Sequence, residues 1–371
     1  MNKIDVDVAI IGGGTAGCSA ALHLRKRGLS VALVERRQCG SQASGVNFGG
    51  VRQHGRDTRE IPLTMLSRSV WDALPELVGD DCEFRPTGHL KLARSESDMA
   101  VLEEWSRTAR GFGIETTLMT RAMVRKAYPF LGDEVVGASF CPSDGAANPR
   151  LVAPAFARAA RRAGAHVFEE IAVVHAVRQH DGFFIETDRD LSVKAAKLVN
   201  TAGAWGSHIA GMFKEAPPEF TTTPNLIVTE PFPYFIEVNI GVVEGGIYFR
   251  QISRGNIILG GGRGTGDAEA IWSRPLAEVS LESFREARRL VPRLAKARVI
   301  RSWSGLEGNM PDGVPVVGPS ATTPDLIHGF GFSGHGFQLG PGMGRILADL
   351  VVDGDPGVPL DGLAVDRFAI E

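Results

Sequence analysis

Cysteine is scarce. Cys18, Cys39, Cys82 and Cys141 are four in 371 residues, far apart and without a C-x-x-C pair. That excludes a disulfide framework or a cysteine-rich zinc centre and fits a reducing compartment, so no metal is expected. Positive charge has no surplus: 40 Lys and Arg against 43 Asp and Glu give a net charge of -3. A generic phosphate-backbone binder is therefore excluded, and nucleic acid with it. No apolar run reaches the ~18 residues of a spanning helix, and the acidic opening Met-Asn-Lys-Ile-Asp-Val-Asp-Val is no signal peptide. A cytoplasmic protein, at most peripheral to the inner face of the membrane, is expected. No internal repeat or low-complexity tract interrupts the chain. Glycine is the one excess, 45 residues in short runs, which points to tight backbone turns around a ligand. With 43% apolar and 22% charged residues, the composition is that of a globular chain of two or three domains.

Residues 4–11 read as a strand, 15–27 as a helix stopped by Gly28, and 30–35 as a second strand ending in an acid, a βαβ unit. Residues 40–56 read as a Gly/Ser/Asn/Arg loop. Helices are expected near 60–77, 95–111, 120–128 and 148–164. A three-strand meander (His166–Arg178, Phe183–Thr187, Lys197–Asn200) follows, then a strand-rich stretch from about 218 to 300 with one helix near 276–290. A last helix is expected over 341–352. Nucleotide-type signals at the start, middle and end imply one discontinuous domain with insertions.

The strongest motif is Gly12-x-Gly14-x-x-Gly17-x-x-x-Ala21 followed by Glu35. Gly12 permits the turn out of the strand, Gly14 lets backbone approach a pyrophosphate, and Gly17 lets helix pack near sheet. The helix N-terminus faces the phosphates and Glu35 accepts from ribose hydroxyls. A continuing NAD domain would run next into helix and strand. This chain runs instead into Ser41-Gln42-Ala43-Ser44-Gly45-Val46-Asn47-Phe48-Gly49-Gly50-Val51-Arg52, which suits close backbone approach to an aromatic ring system. Two further segments belong with it: Lys197-Leu198-Val199-Asn200-Thr201-Ala202-Gly203-Ala204-Trp205, and Gly329-Phe330-Gly331-Phe332-Ser333-Gly334-His335-Gly336-Phe337-Gln338-Leu339-Gly340-Pro341.

Together these motifs resemble the D-amino-acid oxidase-like superfamily of FAD enzymes over nearly the whole chain. The resemblance implies an α/β fold: a Rossmann-like FAD-binding domain over 1–83, 141–213 and 299–371. The substrate domain, α+β on a mainly antiparallel sheet, would be inserted at 84–140 and 214–298. It implies that Gly12, Gly14, Thr15, Ala16, Gly17 and Glu35 hold the ADP half, that Ala202 and Gly203 pass near the pyrophosphate, and that Arg36, Val173, Trp205 and Gly305 also bind the cofactor. Ser44, Gly45, Gly49, Gly50 and Val51 would line the isoalloxazine ring, with Gly334, His335, Gly336, Phe337 and Gln338 flanking its pyrimidine edge. Monomeric sarcosine oxidases carry a lysine after Gly-His-Gly-Phe and a flavin-linking cysteine before it. Here that lysine position is Gln338 and no cysteine follows Cys141, so the FAD is expected to be non-covalent, with His54 the first suspect if it is not. The pattern looks closer to the β-subunits of heteromeric opine oxidases and related hydroxyproline, sarcosine and proline dehydrogenases. This implies a larger electron-transfer subunit as partner and allows FMN at a subunit interface.

What the resemblance implies chemically is oxidation of the C–N bond of an amino acid or N-alkyl amino acid, by hydride transfer to the flavin with hydrolysis of the imine. A substrate carboxylate calls for a bidentate arginine. Arg52 at the end of the flavin loop and Arg250 in Tyr248-Phe249-Arg250 are the candidates, and Tyr248 is a candidate hydrogen-bond donor to substrate. His335 reads as structural, His54 as a surface residue, the cysteines as core residues, and Gly260–Gly266 as a strand end and irregular turn. The loop Arg52-Gln53-His54-Gly55-Arg56-Asp57 is polar enough to meet a partner. No lysine follows Lys296, so no cation is expected to promote reaction of the flavin with oxygen. The alternatives are a self-sufficient peroxide-producing oxidase and an FAD dehydrogenase of a 2-hydroxy acid, which would want a basic cluster not evident in the sequence. A non-catalytic flavin-binding subunit is the last alternative.

Overall fold

The alternating start of the chain forms the strand Asn2–Ile11, exposed in its first half and buried from Val8 onward. It lies between two parallel partners, with Ile10 opposite Leu33 of Val31–Val34 on one side and opposite Val199 of Leu191–Asn200 on the other. Across the sheet the order is Val316–Pro319, Leu326–Phe330, Leu191–Asn200, Asn2–Ile11, Val31–Val34, His166–Phe168. Only the first strand runs antiparallel to its neighbour. Strands buried on both faces read as continuous apolar runs, as Val-Ala-Leu-Val does at 31–34. The computed structural model describes residues 2–368; Met1 and residues 369–371, which the expected domain limits include, lie outside. Among the described residues no helix is long and apolar enough to cross a membrane.

Helices Thr15–Lys26, Pro149–Arg162 and Gly336–Asp353 pack through Leu24, Phe156, Met343 and Ile346. The final helix begins at Gly336, five residues before the expected start at Pro341. Proline inside a helix forfeits a hydrogen bond, and here side chains of helix Ile61–Asp72 and its neighbours bridge the gap. Gln338 O accepts from Trp71 Nε1 (2.9 Å) and Ser67 Oγ (2.6 Å), Gly342 N donates to Ser67 Oγ (3.0 Å), and Pro341 O accepts from Ser19 Oγ (2.7 Å). The expected meander also differs. Its first strand breaks after Phe168, and His166–Phe168 joins the far edge of the parallel sheet. Val173–Gln179, Gly182–Thr187 and Leu191–Asn200 form the meander itself.

A second eight-stranded sheet has the order Val299–Ser304, Pro224–Pro231, Asn256–Arg263, Tyr248–Gln251, Asn239–Val242, His89–Ala93, Gly137–Cys141, Thr117–Thr120. All its pairings are antiparallel except that of Asn239–Val242 with His89–Ala93. The strand Val299–Ser304, assigned by sequence to the first domain, thus pairs in the second sheet. Leu90, Leu92, Ile240, Phe249, Ile257 and Leu259 form the core on one face of this sheet. Its other face roofs a cavity above the glycine-rich turns.

Candidate active site

The turn after the first strand builds one end of the site. Gly12 has φ +106°, and a Cβ there would sit 2.4 Å from Thr201 O, so only glycine fits. Helix Thr15–Lys26 starts at Gly14 without a side-chain cap, which leaves its N-terminal field open to an anion. Glu35, at the end of the second strand, accepts from Gly13 N (2.6 Å) and Arg37 N (2.8 Å). Burial raises its pKa while those N–H groups and Arg36 oppose the rise. The Arg36 guanidinium lies 3.9 Å over the Trp205 ring, and Trp205 Nε1 donates to Ala268 O at 2.9 Å. These residues, with Val173, Ala202 and Gly203, line a cavity of about 340 Å³.

That cavity shares Gly14, Ser44, Thr201, Gly203 and Leu306 with a second of about 380 Å³, so the two make one trench. Thr15, Ala16, Gly49, Gly50, Gly305 and Gly334–Phe337 line the second cavity. The residues fit a flavin dinucleotide. A glycine cradle, an uncapped helix start and the cavity-lining acid Glu35 stand at one end. At the other the final helix begins at Gly336, with His335 at its N-cap making no capping bond. Gly17, Gly45, Val51 and Gln338 line neither cavity. A Cβ on Gly17 or Gly45 would come 2.0 Å from Gly12 O or Gly40 O, and Val51 is core. Gln338 is buried, with Nε2 donating to Thr64 O at 2.9 Å; its identity therefore says nothing about a carboxylate in the cavity.

The end remote from Glu35 is cationic. Arg52, Arg56 and Lys91 line it together with His89, Tyr248, Arg263, Glu307 and His335. Arg52 Nη1 donates to His54 O, Arg56 Nε to Arg52 O at 3.0 Å, and Arg56 Nη1 is buried without a partner. Gly55 has φ +74°, and a Cβ there would lie 2.7 Å from Lys91 Nζ and 3.4 Å from Arg52 Nη1. The turn thus lets the two head groups converge. Burial and the two guanidinium groups bring Lys91 down to about 8. Asp144, fully buried, accepts from Gln53 N (2.7 Å) and His54 N (3.1 Å), and burial pushes its carboxyl up to about 6. His335 Nδ1 lies 2.9 Å from Glu60 Oε1, and burial followed by Arg56 brings His335 down to about 4 despite that carboxylate. The neutral ring therefore donates from Nδ1. Tyr248 packs edge-on against Phe48 at 4.9 Å, its hydroxyl without a partner among the described residues, and burial raises it to about 12.

Several expectations change here. Arg250 does not line the cavity: Nε donates to Phe48 O (3.0 Å) and Nη2 to Ala147 O (3.1 Å), beneath the flavin loop. That loop is not plain coil, since Ala43–Val46 is helical and Gly50–Val51 pairs with Gly145–Ala146. His54 is fully buried, not superficial, and meets His89 edge-on, Nδ1 to Nδ1 at 3.2 Å. Burial holds both rings well below the usual imidazole range. Neither His54 nor any cysteine lines the trench, so no side chain is placed for a covalent flavin link through them. Gln53, His54 and Arg56 face inward and cannot present the loop to a partner. Lys91, Arg56, His89 and Glu307 were missed. The available signal was the alternation His89-Leu90-Lys91-Leu92, which puts two polar side chains on one face of a strand. His54, His89 and Asp144 offer ligand atoms within 4.8 Å of one another. Their neighbours are Arg52, Arg56 and Lys91, however, and both Asp144 oxygens accept from backbone, a setting for an anion.

A parallel dinucleotide-binding sheet joined to an antiparallel roof over one continuous trench defines a class, the two-domain flavoprotein oxidoreductases. The comparisons narrow it. The family model described as FAD dependent oxidoreductase (DAO) matches residues 7–350, and the chain belongs to that family. It is 27% identical to the sarcosine oxidase subunit beta of Rhizobium meliloti (strain 1021), covering 99% of this chain and 89% of that protein. The crystal structure of glycine oxidase from Geobacillus kaustophilus superposes with a TM-score of 0.91 at 25% identity, over 98% of this chain and 99% of that one. L-proline dehydrogenase from P. horikoshii does so with a TM-score of 0.91 at 27% identity, over 99% and 98%. The chain is an FAD-dependent amino-acid or amine oxidase or dehydrogenase.

Proposed function

We propose that the chain oxidises the C–N bond of an N-alkyl or secondary amino acid, and that the cationic end of the trench holds the substrate carboxylate. The single observation that carries this is the convergence of Arg52, Arg56 and Lys91 beside the flavin-loop glycines. When bound, FAD supplies the two-electron acceptor for hydride loss from the carbon next to nitrogen, and water hydrolyses the imine. Arg52 binds the carboxylate through its fork, and the roof strand bearing Tyr248 closes over the amine. Arg250 holds the loop carbonyls of Phe48 and Ala147 and so positions the ring-facing backbone. Helix Gly336–Asp353 would present its N-terminal field to the bound flavin. We assign 1–83, 141–213 and 299–371 to the cofactor and 84–140 and 214–298 to the substrate, with Val299–Ser304 lending one strand to the second sheet.

The FAD is held non-covalently, and nothing supports the FMN that the resemblance allowed at a subunit interface. The chain acts as the catalytic subunit of a heteromeric dehydrogenase of the opine or secondary-amine type, in the cytoplasm or at the inner face of the membrane, the support being its likeness to a protein named as a beta subunit. The lack of lysine after Lys296 does not add support, since Lys91 lines the cavity. That same lysine favours a second reading, a self-sufficient oxidase, because a cation near reduced flavin stabilises superoxide. Turnover of the purified chain in air, with and without a dye acceptor, separates the two. Dye-dependent turnover is expected, and peroxide formation matching substrate loss without dye contradicts the subunit reading. Anaerobic bleaching of the flavin by sarcosine or L-proline derivatives, and not by 2-hydroxy acids, is the result expected for the reaction class.

A further inference from the structure

The cavity beside the flavin loop is lined by Arg52, Arg56, Lys91 and Arg263 and, among the described residues, by one carboxylate, that of Glu307. Glu307 opens the short strand Glu307–Asn309 and pairs with Thr222. It stands two residues after Gly305, where a Cβ would lie 2.2 Å from Val46 of the flavin loop. A Cβ on Gly334 would lie 3.9 Å from both Glu307 carboxylate oxygens, so the group sits between the flavin loop and the tail turn. Neither oxygen accepts a hydrogen bond among the described residues. Its ion-pair partner, Arg263 Nη1, is 3.9 Å away on a side chain that is 58% exposed, too far for a hydrogen bond and weakened by solvent. Burial raises the carboxyl pKa and Arg263 opposes the rise. Tyr248, on the roof strand, feels the charge of Glu307, and His335, next to Gly334, is neutral. Thr222 and Val46 bring no charge.

Strand register sets this anion apart from the cations. Lys91, Gly241, Tyr248 and Gly260 are successive cross-strand partners, so they share the face of the roof that covers the cavity. Lys91 and Tyr248 are two strands apart, about 10 Å, and Gly241 leaves the space between them without a side chain. The charge of Glu307 acts on Tyr248, whereas the charges acting on Lys91 are those of Arg52 and Arg56. The cavity thus has a cationic pole and an anionic one. Their spacing suits a small amino acid with a charge-assisted hydrogen bond of about 2.8 Å at each end. Such a substrate brings an ammonium, and hydride loss from the adjacent carbon needs the electron pair that the ammonium proton occupies. We propose that Glu307 is a catalytic residue that holds the substrate ammonium beneath Tyr248 and takes its proton. One N–H bond breaks and one Oε–H bond forms. The electron pair stays on nitrogen and becomes the C=N bond as hydride leaves. The Glu307 side chain is 21% exposed, so it returns the proton to water. The inference rests on the amine-oxidation reading for the proton but not for the cation.

The test uses the FAD-loaded protein. Dimethylsulfonioacetate and 3-methylbutanoate share a shape and a carboxylate, have no amine to oxidise, and differ by one fixed positive charge. Their dissociation constants are read from the perturbation of flavin absorbance. The sulfonium compound is expected to bind about 10-fold more tightly, the worth of one charge-assisted contact, and in Glu307→Gln the ratio falls to about one. Anaerobic bleaching by saturating sarcosine reads the proton step. At pH 7 Glu307→Gln is expected to be reduced about 100-fold more slowly than wild type, the worth of a general base, and to recover by up to about tenfold per pH unit as rising pH removes the ammonium proton instead. Bound flavin per chain and melting temperature report whether the variant is folded. Equal binding of the two compounds by folded wild-type protein overturns the inference, whatever the variant does. A folded Glu307→Gln that keeps the full ratio, or is reduced at the wild-type rate at pH 7, overturns it as well and leaves the amine reading standing. A sulfonium preference that depends on Glu307, with no bleaching by any amine, supports the cation subsite and contradicts the amine reading, so the two failures are told apart.

Discussion

At the Glu35 end of the trench a ligand meets backbone; at the Lys91 end it meets side chains. The first end is made by one short stretch, the turn Gly12–Gly17 and the strand to Glu35, closed by Thr201–Trp205. The second draws Arg52 and Arg56 from a loop, Lys91 from a strand of the other sheet, and His335 from the start of the last helix. A backbone site is specified by where side chains are absent, so a single added methyl group destroys it. A side-chain site is specified by charges brought together by the fold, and its losses are graded. The first recognises what every member of such a class must hold, and the second is free to choose the substrate.

The largest effect is expected at the backbone end. Gly12→Ala places a Cβ against Thr201 O at a φ that L-residues disfavour. Strain and overlap together should cost about 3–5 kcal/mol, seen as a lower melting temperature and loss of bound flavin. Next is Arg52→Ala, which should lower kcat/KM by about 2–3 kcal/mol with flavin content retained; unchanged kinetics would remove the clamp. Arg250→Met should show the reverse pattern. Losing its bonds to Phe48 O and Ala147 O should cost about 2 kcal/mol in chemical denaturation, while KM for the substrate changes little.

The smallest effect is in pH. Lys91 is held at about 8 by burial and by Arg52 and Arg56, with His54 and His89 neutral beside it and Asp144 and Glu60 acting on the arginines. Its folded pKa lies below the unfolded value near 10.4. Protonated Lys91 therefore costs stability at pH below about 8, and that cost fades as pH rises from about 8 toward 10.4. Anion binding runs the other way: it is full below about 8 and weakens by up to tenfold per pH unit above it. Lys91→Met should flatten that fall in a titration, against pH, of the affinity for (methylthio)acetate, a sulfur analogue of sarcosine with no amine to oxidise.

The same contrast explains what could be read from the residues alone. The strand–turn–helix around Gly12–Gly17, Glu35 and the Gly334–Phe337 segment were legible because contiguous residues do the work, and period and turn chemistry report on contiguous residues. Lys91 was not legible as a site residue. Its placement depends on His89–Ala93 pairing in parallel with Asn239–Val242, some 150 residues away. Arg250 was misassigned because the two carbonyls it serves, Phe48 O and Ala147 O, lie more than a hundred residues away in sequence. The start of the last helix was misplaced because Pro341 looks like a first-turn proline, and only Ser67, Trp71 and Ser19 together explain why a helix tolerates it. His54 looked superficial because a polar loop gives no local sign that it folds under the opposite sheet.

Bound FAD and anaerobic flavin reduction, measured side by side in Glu35→Ala and Arg52→Ala, show whether the two ends do separate jobs. Glu35→Ala should bind FAD more weakly yet, once saturated with it, be reduced by a secondary amino acid at close to the wild-type rate. Arg52→Ala should retain FAD and be reduced at least tenfold more slowly at subsaturating substrate. Loss of FAD from Arg52→Ala, or slow reduction of FAD-saturated Glu35→Ala, would mean that they do not.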